Sequence, residues 1–196
     1  MELRHIPKLV INLSSRPDRM DQFKKQIVYL EDHAKRIEGV EHAKAMLGIA
    51  QAHLNCIRLA KQNKWDKVLI MEDDVIFPAK EKTAAYLKEA LHNAPEDWQV
   101  LLGGVYEVKR IQKTNDYWSK VGEFCSLHFY IIRESAYDTV LEYDKNHHID
   151  RWVNKGGNKL NCYVANKFFA LQSAGFSDNV RKRVDYSDRI QRFQVL

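Results

Sequence analysis

Leu69-Ile70-Met71-Glu72-Asp73-Asp74-Val75-Ile76-Phe77 is the stretch whose reading decides the fold. With Val68 before it, the apolar run reads as a core strand in a sheet covered on both faces, and three acids interrupt it where the strand should end. Two like charges about 4 Å apart repel by roughly 4 kcal/mol at an effective dielectric near 20, so such a cluster needs water, donors or a cation. A divalent metal is the simplest relief. On an extended backbone Glu72 and Asp74 project to one side and Asp73 to the other, so a hard, oxygen-seeking ion would meet Glu72 and Asp74, or one of them with waters and phosphates. The plainer alternative is that the acids cap a strand or open a turn before Pro78.

Working outward, 196 residues suit one domain with a sizeable core, and 45% hydrophobic with 29% charged residues describe a soluble globular chain. No run approaches the roughly 20 apolar residues that span a bilayer, and the opening MELRHIPKLVINL enters a strand rather than a signal peptide. The expected location is the cytoplasm. Cys56, Cys125 and Cys162 are odd in number, far apart and without a CxxC pair, which argues against a disulfide framework and a zinc site. A net charge of +5 with a pI near 9.0 admits an anionic partner, among them a nucleotide diphosphate, an anionic glycolipid or a nucleic acid. Much of the excess falls in Arg181, Lys182, Arg183, Arg189 and Arg192, so residues 181–196 read as a basic C-terminal segment, a solvated face or loose tail, beside one domain over 1–180.

Lys8 to Leu13 reads as the first buried strand. Ser15 and Asp18, with Pro17 between them, have the spacing of a capping box, and Met20, Phe23, Ile27 and Leu30 then give an amphipathic helix from Asp18 to about His33. In an open α/β sheet, ligands collect at strand carboxyl ends, where helix amino termini favour phosphates. Arg16 and Arg19 add two positive charges in that loop, or else simply face solvent. Residues 35–40 form a second strand, and Met46, Ala50, Leu54, Ile57 and Ala60 mark a helix over 41–63. His53 lies beside that stripe, where a core histidine is commoner than a ligand. A helix over 80–93, strands at 98–104 and 127–132, irregular or hairpin structure over 105–124, a helix over 134–143 and a last strand within 160–172 complete the reading. Gly103 and Gly104 either admit a ligand against the backbone or make a bend. His147-His148-Ile149-Asp150 could complete a metal site or supply a base, or form a surface turn.

Together these pieces resemble glycosyltransferase family 25, the group of lipooligosaccharide and collagen galactosyltransferases. VINLSSRPDR (10–19) is similar to its first strand and nucleotide-sugar loop, Leu47-Gly48-Ile49-Ala50-Gln51-Ala52-His53 to its Gly-Cys-x-x-Ser-His helix, and LIMEDDVIF (69–77) to its acidic strand end. LHFYIIRESA (127–136), HHIDRWV (147–153) and FFALQSAGFSD (168–178) resemble later elements in the same order, over about residues 8 to 179. Ile49 and Ala52 replace the helix motif's Cys and Ser, and His148 replaces a proline.

The resemblance implies a GT-A-type α/β fold: one nucleotide-binding domain whose mainly parallel sheet is flanked by helices, with a small antiparallel part. It also implies a nucleotide-diphosphate sugar, commonly UDP-linked, with Mn²⁺ or Mg²⁺. Transfer of a hexosyl or pentosyl group to a hydroxyl acceptor would then invert the anomeric centre. Glu72 and Asp74 are the expected metal ligands; Asn12, Leu13, Arg16, Arg19, His53, Asp73 and Gln172 the donor-binding residues; Asp150 the general base, with His148 in reserve. The acceptor is expected to be an oligosaccharide or a hydroxymethylated base in DNA, with a catalytically inactive binding module of the same fold as the alternative.

Overall fold

A computed structural model describes residues 1–109, 111–154, 160–177, 182–190 and 193–196. β1 (Lys8–Asn12) leads into α1 (Pro17–Ile27), β2 (Lys35–Glu38), α2 (Ala45–Gln62), β3 (Lys67–Glu72) and β4 (Val75–Ile76). Next come α3 (Lys82–His92), β5 (Val100–Leu102), β6 (Glu107–Val108), β7 (Ile111–Lys113), β8 (Trp118–Val121), β9 (Phe124–Cys125) and β10 (Phe129–Arg133). The chain then runs through α4 (Tyr137–Leu141), α5 (Ile149–Val153), β11 (Cys162–Ala165), β12 (Lys167–Phe168), β13 (Leu171–Gln172) and β14 (Gly175–Ser177). β15 (Lys182–Val184), α6 (Ser187–Ile190) and β16 (Gln194–Val195) end it.

Eight strands form the main sheet in the order β2-β1-β3-β10-β5-β11-β8-β7. Following the pairings, β2, β1, β3, β5, β11 and β7 point one way, and β10 and β8 run against them. The expected α/β fold, with most strands co-directional and small antiparallel pieces beside them, is the one observed. β3 shows why its run is apolar throughout. Val68 and Ile70 join the core under α2, α4 and α5, while Leu69 and Met71 face the core under α1 and α3, and all four are fully buried. A strand covered on both faces has no polar side.

Four local readings change. The capping box does not form: Arg16 occupies the N-cap without a side-chain cap, Pro17 opens the helix, and Ser15 Oγ donates to Glu41 instead. Proline in the first turn fixes φ where an amide donor is not needed, so the helix starts without a hydroxyl cap. α1 also stops at Ile27; Val28–Leu30 tightens into a 3₁₀ turn that still buries Leu30, and Glu31 closes it at φ 55°. α2 begins at Ala45 rather than Glu41, because the Lys44 amide donates to His42 Nδ1 and holds a loop there. Gly104 admits backbone rather than ligand, since a Cβ there would stand 2.4 Å from the Ala170 carbonyl oxygen. Among the described residues no helix is long and apolar enough to cross a membrane.

Candidate active site

The parallel pairing of β1 with β3 sets Ile11 opposite Glu72, so both strands deliver their carboxyl ends to the same edge of the sheet. Glu72 is the last residue of β3, and Asp73 and Asp74 form the turn into β4. β13 pairs antiparallel with β4, setting Gln172 opposite Val75, while the Ser173 amide donates to the Asp74 carbonyl. That pairing brings Gln172 to the acids across a hundred residues of chain: its amide donates to Glu72 Oε2 at 3.0 Å and to both Asp74 oxygens at 3.3 Å. The other Glu72 oxygen lies 3.2 Å from Nε2 of His53, whose Nδ1 meets the Tyr130 hydroxyl at 3.0 Å. His53, 1% exposed, is thus both a core residue and a partner of the acid. It reaches that position because α2 packs close: Gly48, one turn earlier, approaches the Val40 carbonyl so nearly that a Cβ would lie 2.2 Å from it.

Asp73 faces the first loop. Asn12 Nδ2 donates to its Oδ2 at 2.7 Å and to the Arg16 carbonyl at 2.9 Å, while Arg36 Nε donates to Asn12 Oδ1 at 2.8 Å and fixes the amide's orientation. Arg19 donates to Asp73 Oδ1 at 3.1 Å, stands 3.7 Å from Asp74 and donates from its other nitrogen to the Phe176 carbonyl. Arg16 pairs through two nitrogens with Asp18, whose carboxyl it holds below the usual carboxylate range. Gln172 thus joins Glu72 and Asp74 while Asn12 takes Asp73, Arg19 reaches both Asp73 and Asp74, and the two aspartates stand in a turn rather than on an extended strand.

The compensation is uneven. Burial raises the proton affinity of all three acids, and for Asp73 it outweighs the Asn12 and Arg19 hydrogen bonds. Asp74, buried beside ionised Glu72 and served among the described residues by the long bonds from Gln172 and by Arg19, is pushed up to about 7. Glu72 is pulled the other way: burial acts upward, but the His53 hydrogen bond and positive charge around it hold it below the usual range. One acid is well neutralised and its neighbour is not.

A second group of residues stands at the β9–β10 connection. The amide of Ser126 donates to Asp150 Oδ2 at 2.8 Å, and the other Asp150 oxygen accepts from the Arg151 amide at 2.7 Å. Ser126 has φ 94°, a strained value for a residue with a side chain. Its hydroxyl lies 2.5 Å from His128 Nδ1, and His128 Nε2 lies 2.9 Å from the Ala170 carbonyl oxygen. His128 is fully buried, which lowers its proton affinity. Its ring stacks on Tyr106, and Tyr106 stacks on Tyr186 with centroids 4.4 Å apart. The Gln172 backbone amide donates to the Tyr106 hydroxyl at 2.7 Å, tying this stack to the acids. Arg189 donates to Glu107, which also pairs with Arg151.

One cavity of about 990 Å³ joins these groups. Its lining includes Asn12, Leu13, Arg16, Arg19, His53, Glu72, Asp73, Asp74, His148, Asp150 and Gln172, the residues to which the resemblance gives a part, whereas His147 is outside it and pairs with Asp144 at 2.9 Å. His148 is exposed at the N-cap of α5. The same lining holds Tyr106, Ser126, Tyr186 and Arg189, which the sequence reading did not assign to a site. Arg189 belongs to the charge run read as solvated; Arg181 and Arg192 of that run, and Asp178 of the last resembling segment, lie outside the described residues. The signal available for His128 was a histidine inside the apolar run Leu127-His128-Phe129-Tyr130, a polar group at a core position that must find partners.

No protein-family model matches the chain, and no curated protein matches it. Among solved structures, A197 from STIV is similar over 94% of this chain and 93% of its own, with a TM-score of 0.55 at 14% identity. The mannose-1-phosphate geranyltransferase from Thermus thermophilus overlaps 80% of this chain and 58% of its own at a TM-score of 0.43 and 12% identity. The inositol-1-phosphate CTP transferase from T. maritima overlaps 81% and 65% at 0.44 and 11%. At these identities the likeness to A197 concerns the fold, and the chain shares that α/β architecture along nearly its whole length.

Proposed function

We propose that the protein transfers a sugar from a nucleotide-diphosphate donor, UDP-linked by the resemblance to family 25, to a hydroxyl acceptor. The observation that carries this reading is the convergence on one cavity of residues drawn from β1, α1, α2, the β3–β4 turn, α5 and β13. Residues with no shared task would scatter over the surface.

The acids suit a divalent cation. Glu72 and Asp74 present hard oxygen donors to the cavity, with side chains 26% and 15% exposed, and among the described residues the donors to Asp74 stand 3.3 Å away or more. Among the described residues no three His, Cys, Asp or Glu side chains form a complete cage. Mg²⁺ and Mn²⁺ are commonly held by one or two carboxylates together with substrate phosphates, so Glu72 and Asp74 would hold such an ion on the donor diphosphate. When bound, it would neutralise charge developing on the leaving nucleotide. Arg19 supplies a second positive centre beside it. Asn12, locked by Arg36, keeps Asp73 turned toward Arg19 and away from the Glu72–Asp74 pair. His53 and Gln172 keep Glu72 ionised and in place. His148 and Asp150 line the same cavity, and the acceptor is a glycan or a hydroxymethylated base in DNA.

A thermal-shift panel of nucleotide sugars with and without Mn²⁺ tests the reading. A metal-dependent shift with one donor, followed by release of its nucleotide on adding acceptor, is the expected result. No shift with any donor would favour a binding module of the same fold.

A further inference from the structure

We propose that Ser126 and His128 form the proton-accepting pair of the transfer, with Ser126 touching the acceptor hydroxyl and His128 acting through it. The inference rests on the sugar-transfer reading above and concerns a pair of residues that the resemblance does not assign.

The geometry fixes the direction of each hydrogen bond. The Ala170 carbonyl can only accept, so His128 Nε2, 2.9 Å away, carries the ring hydrogen. In the neutral ring Nδ1 is then a bare acceptor, and the Ser126 hydroxyl at 2.5 Å donates to it. A hydroxyl, a base and a group orienting the base follow one another as in activated serines generally. Ser126 lines the cavity and the His128 imidazole behind it is fully buried, so a substrate meets Ser126 and not the ring. Ser126 holds φ 94°, a strained conformation of the kind that clusters at active sites. Asp150 accepts from the backbone amides of Ser126 and Arg151, so its carboxylate holds the strained residue in position. The neighbouring Cys125 thiol does not compete as a nucleophile, because burial and then the charge of Asp150 push it up to about 12.

The step balances within the chain. As the acceptor oxygen forms its bond to the anomeric carbon, the bond from that carbon to the diphosphate oxygen breaks and its electron pair leaves with the nucleotide. The acceptor's proton passes to Ser126 Oγ, and the Ser126 proton passes to His128 Nδ1. The imidazolium so formed keeps its Nε2 hydrogen on Ala170 O, and the added proton returns through Ser126 to water after product leaves.

Ser126→Gly is the decisive variant, because glycine adopts φ 94° without strain and only the hydroxyl is lost. Its melting temperature should equal or exceed that of the wild type. Its KM for the donor should stay unchanged, and kcat should fall about 10²- to 10³-fold, the range of a lost acid–base contribution. His128→Gln should lower kcat to a similar extent, and the double variant should fall no further, as expected of groups that act as a unit. A Ser126→Gly kcat within about threefold of wild type would overturn the proposal. A readout independent of turnover is the ¹⁵N shift of the His128 ring in the resting protein. A protonated Nε2 with a bare Nδ1 is expected, and a hydrogen on Nδ1 would overturn the relay. If the wild type binds no nucleotide sugar, the transferase reading fails instead, and the ring shifts still decide the Ser126–His128 hydrogen bond.

Discussion

The acid side of the cavity and the Ser126 side are built by opposite means. Glu72, Asp73 and Asp74 sit where parallel β1 and β3 end, with direct side-chain partners in Asn12, Arg19, His53 and Gln172 that are longest at Asp74. Ser126 hangs from a connection held by Asp150, a buried histidine and a stack of tyrosines drawn from distant parts of the chain. Regular strand ends concentrate like charges and then need relief; irregular backbone stores strain and needs clamps. Charge therefore dominates the first side and backbone geometry the second.

The sharpest way to break this contrast is to remove charge without shape. Asp74→Asn and Glu72→Gln should each lower sugar transfer on the order of 10³-fold while leaving the fold intact, as for loss of a group aimed at developing charge. Transfer assays with Mn²⁺ check this, and near wild-type rates in either variant would separate that acid from the chemistry. Arg19→Ala should act on binding, because a charge-assisted hydrogen bond contributes about 1.5–3 kcal/mol, roughly a 10- to 100-fold rise in the donor's KM. Steady-state kinetics would show it as a change in KM larger than that in kcat.

Much of the acid side was legible because its signals are local. An apolar run interrupted by three acids, and a strand followed at once by Arg16, Pro17 and Arg19, name a strand end and a helix start without tertiary knowledge. Gln172 was found only by resemblance, because a single β13–β4 pairing brings it to the acids. The Ser126 side was largely invisible. Positive φ at a serine leaves no mark in composition, the Tyr106–Tyr186 stack spans eighty residues, and the bonding of Asp150 to two backbone amides cannot be read from His-Ile-Asp spacing. The capping-box expectation failed for a related reason: proline had already fixed the helix start, and the free hydroxyl of Ser15 found Glu41.

Smaller effects sharpen the same contrast. Gly48→Ala should destabilise by about 1–3 kcal/mol, the usual cost of forced overpacking, because its Cβ would meet the Val40 carbonyl at 2.2 Å. Denaturant unfolding measures this, with an unchanged midpoint as the contrary result. The smallest effect is on pH dependence. Asp74 holds its proton to about pH 7 in the fold but to about 3.8 when unfolded. Between those values the native state binds the extra proton, so raising pH through that window costs stability, and no further cost accrues above it. Without metal, Asp74→Asn should therefore gain on wild type between about pH 4 and 7, on the order of 1 kcal/mol because Glu72 and Arg19 share the charge, and then level off.

The central claim is a cation held by Glu72 and Asp74 against a nucleotide diphosphate. Calorimetric titration of Mn²⁺ into the protein with and without UDP tests it most directly. Tight Mn²⁺ binding is expected only when UDP is present, and Asp74→Asn should abolish it. Binding of UDP that ignores Mn²⁺, or Mn²⁺ binding unchanged in that variant, would contradict it.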